Sequence, residues 1–275
     1  MIKRVLITGC YGYLSSNLIN YLDKRRYKIN CIGRNLNDKD KIKEMIKDAH
    51  VIVHLAAIVN PFDKNIWNVN LNYTKFLIKE AKKYNKRFIY LSTQNVLFGK
   101  DNYSKSKRKA EIIVRTLEDF VILRPTIIYG KSDRYIGRLI KIIKTYPIVP
   151  ILGNGKNKLQ PIYLEDLIKI IEVCINSDIK GIFLVAGNSI ITYDELTDLI
   201  IKKLGLIRRK IYIPVWLIKP FAYLSQNLSK NPRITTVQLD NLKIDQVYDI
   251  EYMKKIFNIK LKDIEEGLDL SIKND

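Results

Sequence analysis

Tyr103 and Lys107 stand four positions apart in the stretch Tyr103-Ser104-Lys105-Ser106-Lys107. At 3.6 residues per turn a helix here brings both side chains to one face, where the ammonium favours the ionised form of the phenol. An unperturbed phenol, with a pKa of about 10, is a poor base at neutral pH. A neighbouring cation that lowers this value makes Tyr103 a candidate proton donor and acceptor.

Upstream lies Thr8-Gly9-Cys10-Tyr11-Gly12-Tyr13-Leu14-Ser15. It follows an apolar run directly and precedes an amphipathic segment, the context that a phosphate-binding turn requires. Gly9 permits the tight turn and Gly12 lets the backbone approach a pyrophosphate, while Ser15 stands at the third small-residue position. Tyr11, Tyr13 and Leu14 complete the cofactor-facing segment. The next apolar run ends in Cys31-Ile32-Gly33-Arg34-Asn35, where a carboxylate for ribose hydroxyls is lacking. Arg34 can instead meet a 2′-phosphate through a charge-assisted contact, so NADP is the expected cofactor and NAD the alternative.

These residues need a scaffold. Apolar runs alternate with amphipathic stretches: Val5 to Ile7 before Leu14 to Leu22, Ile29 to Ile32 before Lys39 to Lys47, Val51 to Leu55 before Trp67 to Lys83. Further runs follow at Phe88 to Leu91, Val121 to Leu123 and Ile182 to Val185. This βαβ rhythm predicts an α/β, doubly wound parallel sheet with both faces covered by helices. After Ile128 glycines and prolines break the chain into loops. The expected division is a dinucleotide-binding domain over 1–128 and a small α/β substrate lobe over 129–275, with return strands to the first sheet.

Composition narrows the class. The 275 residues are 47% hydrophobic and 28% charged, as in ordinary globular proteins. Cys10, Cys31 and Cys174 have no metal-type spacing, and reduced thiols and no metal are expected. The chain enters a strand almost at once, which leaves no room for an export signal. The stretch Ile213 to Leu224 is interrupted by Pro214, Lys219 and Pro220 and is too short to span a bilayer, so it reads as a capping loop and helix. A cytoplasmic location without stable membrane insertion is expected. The net charge of +20 comes from lysines scattered over helix-like stretches without an arginine-rich block, which argues against nucleic acid. Attraction to a membrane surface is the alternative reading of that charge.

With the glycine turn, His54-Leu55-Ala56-Ala57, Asn70, Ser92-Thr93, Tyr103-x-x-x-Lys107 and Leu123-Arg124-Pro125 in this order, the chain resembles the extended short-chain dehydrogenase/reductases over most of its length. That resemblance implies a Rossmann domain followed by a substrate lobe. It implies that Leu55, Ala56 and Ala57 line the cofactor and that Asn70 supports the active-site hydrogen bonds. Tyr103 would exchange a proton with a sugar oxygen, Lys107 would hold the nicotinamide ribose, and Thr93 would bind the reacting oxygen. Arg138 is a candidate for the substrate diphosphate, and His54 is read as structural.

The stretch Ser92 to Gly99 is most similar to the dTDP-4-dehydrorhamnose reductase-like branch. Gln94 and Asn95 occupy the positions where the dehydratases carry Asp and Glu, and amides supply no general acid or base, so dehydration is not expected. The resemblance thus implies an NAD(P)-dependent reductase or epimerase acting on a sugar carbon of a nucleoside-diphosphate sugar, and a homodimer through the Tyr103 helix. The alternatives are a non-catalytic dinucleotide-binding sensor or assembly protein, and an enzyme on a lipid-linked sugar.

Overall fold

The runs expected as strands are Lys3–Thr8 (β1), Tyr27–Ile32 (β2), Val51–His54 (β3), Arg87–Leu91 (β4) and Phe120–Pro125 (β5). With Gly181–Val185 they form one six-stranded sheet in a computed structural model that describes residues 2–33, 38–133, 135–229, 232, 234–242 and 244–273. The order across the sheet is Gly181–Val185, β5, β4, β3, β1, β2, and every pairing is parallel. Helices Tyr13–Tyr21 (α1), Lys39–Asp48 (α2), Thr74–Lys83 (α3) and Asn102–Val114 (α4) make the connections. This is the expected doubly wound Rossmann sheet.

Burial explains why the strands read as continuous apolar runs. Leu6, Ile52, Phe88, Tyr90 and Ile122 pack with Ile42 and Ile46 of α2, Leu77 and Ala81 of α3, and Ala110 and Val114 of α4. Their neighbours Val5, Ile7, Val53, Ile89 and Val121 point the other way and are equally buried, as are Leu14 and Leu18 of α1. Connections cross to opposite sides of β1, and the chain reversal between β1 and β3 opens the sheet at its carboxyl edge, where doubly wound folds bind ligands.

By its internal contacts the chain divides into two compact units, Met1–Pro125 with Leu167–Val185 and Lys255–Phe257, and Thr126–Asp166 with Ala186–Lys254 and Asn258–Asp275. The second unit has its own core, in which Tyr129, Leu139, Ile143, Val149, Ile151, Leu196 and Leu268 come together.

One expectation is corrected. Cys10 and Cys31 are joined as a disulfide, and Cys174 alone is a free, buried thiol. The physical reason is register: β1 and β2 run side by side with Ile7 opposite Cys31, which leaves Cys10 of the turn above β2 with a Cα–Cα distance of 6.0 Å across the pair. A separation of 21 residues gave no hint of this. The expected outcome of alkylating the denatured chain is one labelled cysteine without reductant and three with it. Three labels without reductant would refute the pairing.

Candidate functional site

The glycine turn closes over the end of β1. Gly9 has φ of +79°, and a Cβ built on it would lie 2.8 Å from the Cα of Ala56, so only glycine fits between the turn and the chain leaving β3. The Gly9 carbonyl accepts from the Gly12 amide at 2.8 Å and from the Ser15 hydroxyl at 2.7 Å. Ser15 at the third small-residue position therefore does more than permit close packing, because its hydroxyl ties the turn to α1. No side chain caps the N-terminus of α1 at Gly12 and no acidic residue stands in its first turn. First-turn amides of a helix without such a cap, at the positive end of its dipole, suit a pyrophosphate. Leu14 is buried beneath the turn, Tyr13 is half-buried, and Tyr11 is exposed with its ring against Gly33. Arg34 lies outside the described residues.

A chain of hydrogen bonds runs from this turn to the helix that carries Tyr103. The Thr74 hydroxyl donates to the Asn70 carbonyl at 2.9 Å, so its oxygen must accept from His54 Nε2 at 2.8 Å. His54 Nδ1 is then the acceptor, and the Thr8 hydroxyl donates to it at 2.6 Å while accepting from the Ala56 amide at 3.2 Å. The network assigns the Nε2–H tautomer to a neutral imidazole. Burial, and then the charge of Lys107, hold His54 well below the usual histidine range in agreement with this.

Asn70 continues the chain. It sits in a π-helical turn, Asn68–Tyr73, and its amide pairs with the backbone of Ile58 in both directions, at 2.8 and 2.9 Å. The same amide nitrogen donates to Ser106 Oγ at 3.0 Å, and Ser106 donates to the Tyr103 carbonyl at 2.8 Å. One buried asparagine thus sets the half-buried segment Leu55–Ile58 against the start of α4.

The connection from Thr93 to Tyr103 is short and braced. Asp101 caps α4 by accepting from the Ser104 amide at 3.0 Å and hydroxyl at 2.7 Å. A Cβ on Gly99 would sit 2.1 Å from Ser104 Oγ, and Arg108 donates to the carbonyls of Val96 and Gly99 at 2.7 and 2.9 Å. Within this frame the Thr93 hydroxyl accepts from the Asn95 amide at 3.2 Å and lies close enough to the Tyr103 phenol to act on its titration. Gln94 and Asn95 occupy a 3₁₀ turn beside Thr93 and bring only amides.

The electrostatics differ from the expected lowering of the Tyr103 pKa. Burial pushes the phenol up to about 12, with the nearby Thr93 hydroxyl opposing it. Lys107 lies on the shared face of α4, but its ammonium donates to the Leu91 carbonyl at 2.5 Å and stands 4.1 Å from the centre of the Tyr90 ring. Burial brings its pKa down to about 7, against an opposing pull from Glu111. A lysine that has lost most of its affinity for a proton is a weak cation for its neighbour.

Glu111 was not singled out by sequence, although it follows Lys107 by the same four-residue step. It is buried, bound by Arg124 through two contacts of 2.9 and 2.5 Å, and accepts from the Ser92 hydroxyl at 2.5 Å. Arg124 of the Leu123-Arg124-Pro125 motif is thereby the counter-ion of a carboxylate beneath the Thr93 strand end. Arg138 belongs to the second unit, on helix Ile136–Thr145.

The depressed Lys107 gives a stability test. Below pH 7 the folded chain holds the buried ammonium; above it the folded chain sheds a proton that the unfolded chain keeps until about pH 10.5. The penalty from this group therefore fades as pH rises through that window. Wild-type urea midpoints should climb relative to those of Lys107→Met between pH 7 and 10, and a constant difference would count against the buried ammonium.

The comparisons with known proteins bear on family and fold. The model of the NAD dependent epimerase/dehydratase family matches residues 5–186. A mitochondrial NADH dehydrogenase [ubiquinone] 1 alpha subcomplex subunit 9 from Dictyostelium discoideum is 24% identical over 245 residues, 85% of this chain and 67% of its own. A dTDP-D-glucose 4,6-dehydratase from the same organism is 25% identical over 281 residues, 78% of this chain, and the alignment takes in 63% of its length. The chain thus spans about two thirds of these curated relatives. Among solved structures, a dTDP-4-dehydrorhamnose reductase from Bacillus anthracis in complex with NADP superposes with a TM-score of 0.79 over 100% of both chains at 19% identity, which speaks for the fold. With a family match that runs from β1 to the end of strand Gly181–Val185, the chain belongs to the NAD dependent epimerase/dehydratase family.

Proposed function

We propose that the chain is an NADP-preferring oxidoreductase that reduces or epimerises a sugar carbon of a nucleoside-diphosphate sugar, with Tyr103 as the proton-transferring group. The observation that carries this reading is the hydrogen-bond chain that ties the Tyr103 turn of α4 through Ser106 and Asn70 to the segment facing the glycine turn, with a buried lysine one turn beyond the phenol. A nicotinamide dinucleotide, when bound, supplies the hydride donor and acceptor.

The chain's own residues take the other roles. Gly9, Gly12 and the first-turn amides of α1 hold the pyrophosphate, with Tyr11, Tyr13 and Leu14 around it and Leu55, Ala56 and Ala57 on the opposite wall. Arg34 takes the 2′-phosphate. Thr93 holds the reacting sugar oxygen in place while Tyr103 passes a proton to it or removes one. Lys107 turns to the nicotinamide ribose, and an ammonium drawn toward Tyr103 lowers the phenol from about 12 toward neutrality. Arg138 meets the substrate diphosphate. Gln94 and Asn95 exchange no protons, which favours reduction or epimerisation over dehydration.

A second reading has support of its own. The similarity to an NADH dehydrogenase [ubiquinone] 1 alpha subcomplex subunit across 85% of this chain supports the alternative of a dinucleotide-binding assembly protein. Native mass spectrometry and a panel of 4-keto sugar nucleotides separate the two. Retained or titratable NADP with turnover supports the enzyme, whereas dinucleotide binding with no turnover on any member supports the assembly protein.

Three variants sharpen the test. Tyr103→Phe is expected to keep NADPH affinity and lose roughly 10²- to 10⁴-fold in turnover, the range of general acid–base contributions. Wild-type rates in that variant would remove Tyr103 from the chemistry. Gly9→Ala places a methyl 2.8 Å from the Ala56 backbone and should abolish dinucleotide binding in fluorescence titrations. Arg34→Ala should raise the KM for NADPH more than that for NADH, and equal changes would overturn the NADP preference.

A further inference from the structure

In the second unit, helix Val215–Leu228 is turned inside out. Ala222 is its buried residue, while Trp216 is 72%, Phe221 73% and Leu228 84% exposed. At 100° per residue Trp216, Leu217, Pro220, Phe221, Leu224 and Leu228 fall within roughly half the circumference, opposite Ala222. Lys219 is exposed on the flank of that arc.

The apolar surface extends beyond the helix. Strands Ile148–Leu152 and Arg209–Ile213 pair in parallel, with Ile148 opposite Arg209, Pro150 opposite Ile211 and Leu152 opposite Ile213. Val149 and Ile151 point into the core of this unit, and by alternation Ile148, Pro150 and Ile211 face outward, where all three are exposed. The second strand leads through Pro214 straight into the helix, and the loop ahead of it carries Ile207 at 95% exposure. Adjoining apolar surface of this kind marks an interaction site.

Charge identifies the occupant. Residues 134–164 contain six basic and no acidic side chains, and residues 199–239 contain eight and none. Within the ribbon and helix themselves every charged residue is basic, and of these Arg209 and Lys219 are exposed beside the apolar face, while Lys210 is held by Asp194 and Asp198. A second copy of the chain on this face would set like charge against like charge. A nucleic acid would meet the cations but leave the leucines and the phenylalanine without partners. A layer of phosphates over hydrocarbon satisfies both, and Trp and Tyr favour that boundary.

We propose that helix Val215–Leu228 and the outer face of the strand pair before it form a docking surface for an anionic lipid bilayer, with the helix lying in the headgroup plane. No helix among the described residues is long and apolar enough to cross a membrane, so the attachment is peripheral and reversible by salt.

Sedimentation with sucrose-loaded vesicles tests this independently of any enzymatic activity. Vesicles of phosphatidylcholine alone are compared with vesicles containing about one third phosphatidylglycerol, at low and high salt. The chain has two tryptophans, so Trp67→Phe leaves Trp216 as the single reporter. The expected result is binding to the anionic vesicles at low salt, release by high salt, and a blue shift of Trp216 emission on binding. The double variant Trp216→Ala, Phe221→Ala, whose side chains are already exposed, should keep its circular dichroism spectrum and bind at least about tenfold more weakly. Arg209→Glu with Lys219→Glu should also weaken binding. The proposal is overturned if the anionic vesicles leave the chain in solution at low salt or if the double variant binds as well as wild type. Light scattering that shows a dimer dissolved by the same double variant would overturn it too, as would salt-sensitive binding to RNA without any to vesicles.

Discussion

The site depends on one close approach: the backbone of Gly9 lies against that of Ala56 at the carboxyl edge of the sheet. β1 and β3 are neighbours there, and the turn after β1 folds over the chain that leaves β3. A side chain at Gly9 would separate the two segments and disturb the strained turn. Thr8 secures the same junction by binding the Ala56 amide with one lone pair and aiming its proton at His54.

From that junction order spreads by hydrogen bonds rather than by apolar packing. The neutral imidazole of His54 relays between Thr8 and Thr74, Thr74 holds the π-helical turn, and Asn70 in that turn reaches both Ile58 and Ser106. Each donor in the series has its acceptor, which buried polar groups require. The reading of His54 as structural fits this position, for both of its nitrogens are occupied. The cost of the arrangement falls on Lys107, whose ammonium is buried against a carbonyl, a tyrosine face and the field of Glu111. A buried lysine is tolerated when its proton is easily lost, and a group so poised gains most from an anionic or hydroxyl-rich ligand.

Much of the fold was legible because its signals are local. Continuous apolar runs such as Val51 to His54 follow from burial on both sheet faces, and the glycine turn follows from the need for positive φ. The step from Tyr103 to Lys107 is legible for the same reason, since a helix converts sequence spacing into a shared face. Where side chains on that face turn was hidden. Glu111 repeats the step but means little until Arg124 arrives from β5 and Ser92 from the residue after β4. Nothing next to Gly99 in the sequence signals that the Ser104 side chain packs against it.

By itself the sequence determined the strands of the six-stranded sheet, the turn that follows the first of them, the helical step from phenol to amine, and the amide side chains at 94 and 95. Tertiary structure decided the rest: that Cys10 meets Cys31, that Lys107 turns to the Leu91 carbonyl, that Glu111 is neutralised by Arg124, and that the apolar side of Val215–Leu228 faces outward. Backbone conformation and periodicity are set by neighbours along the chain. The direction in which a side chain points, the dielectric it meets and the partner it finds are set by segments tens of residues away, and no local pattern encodes them.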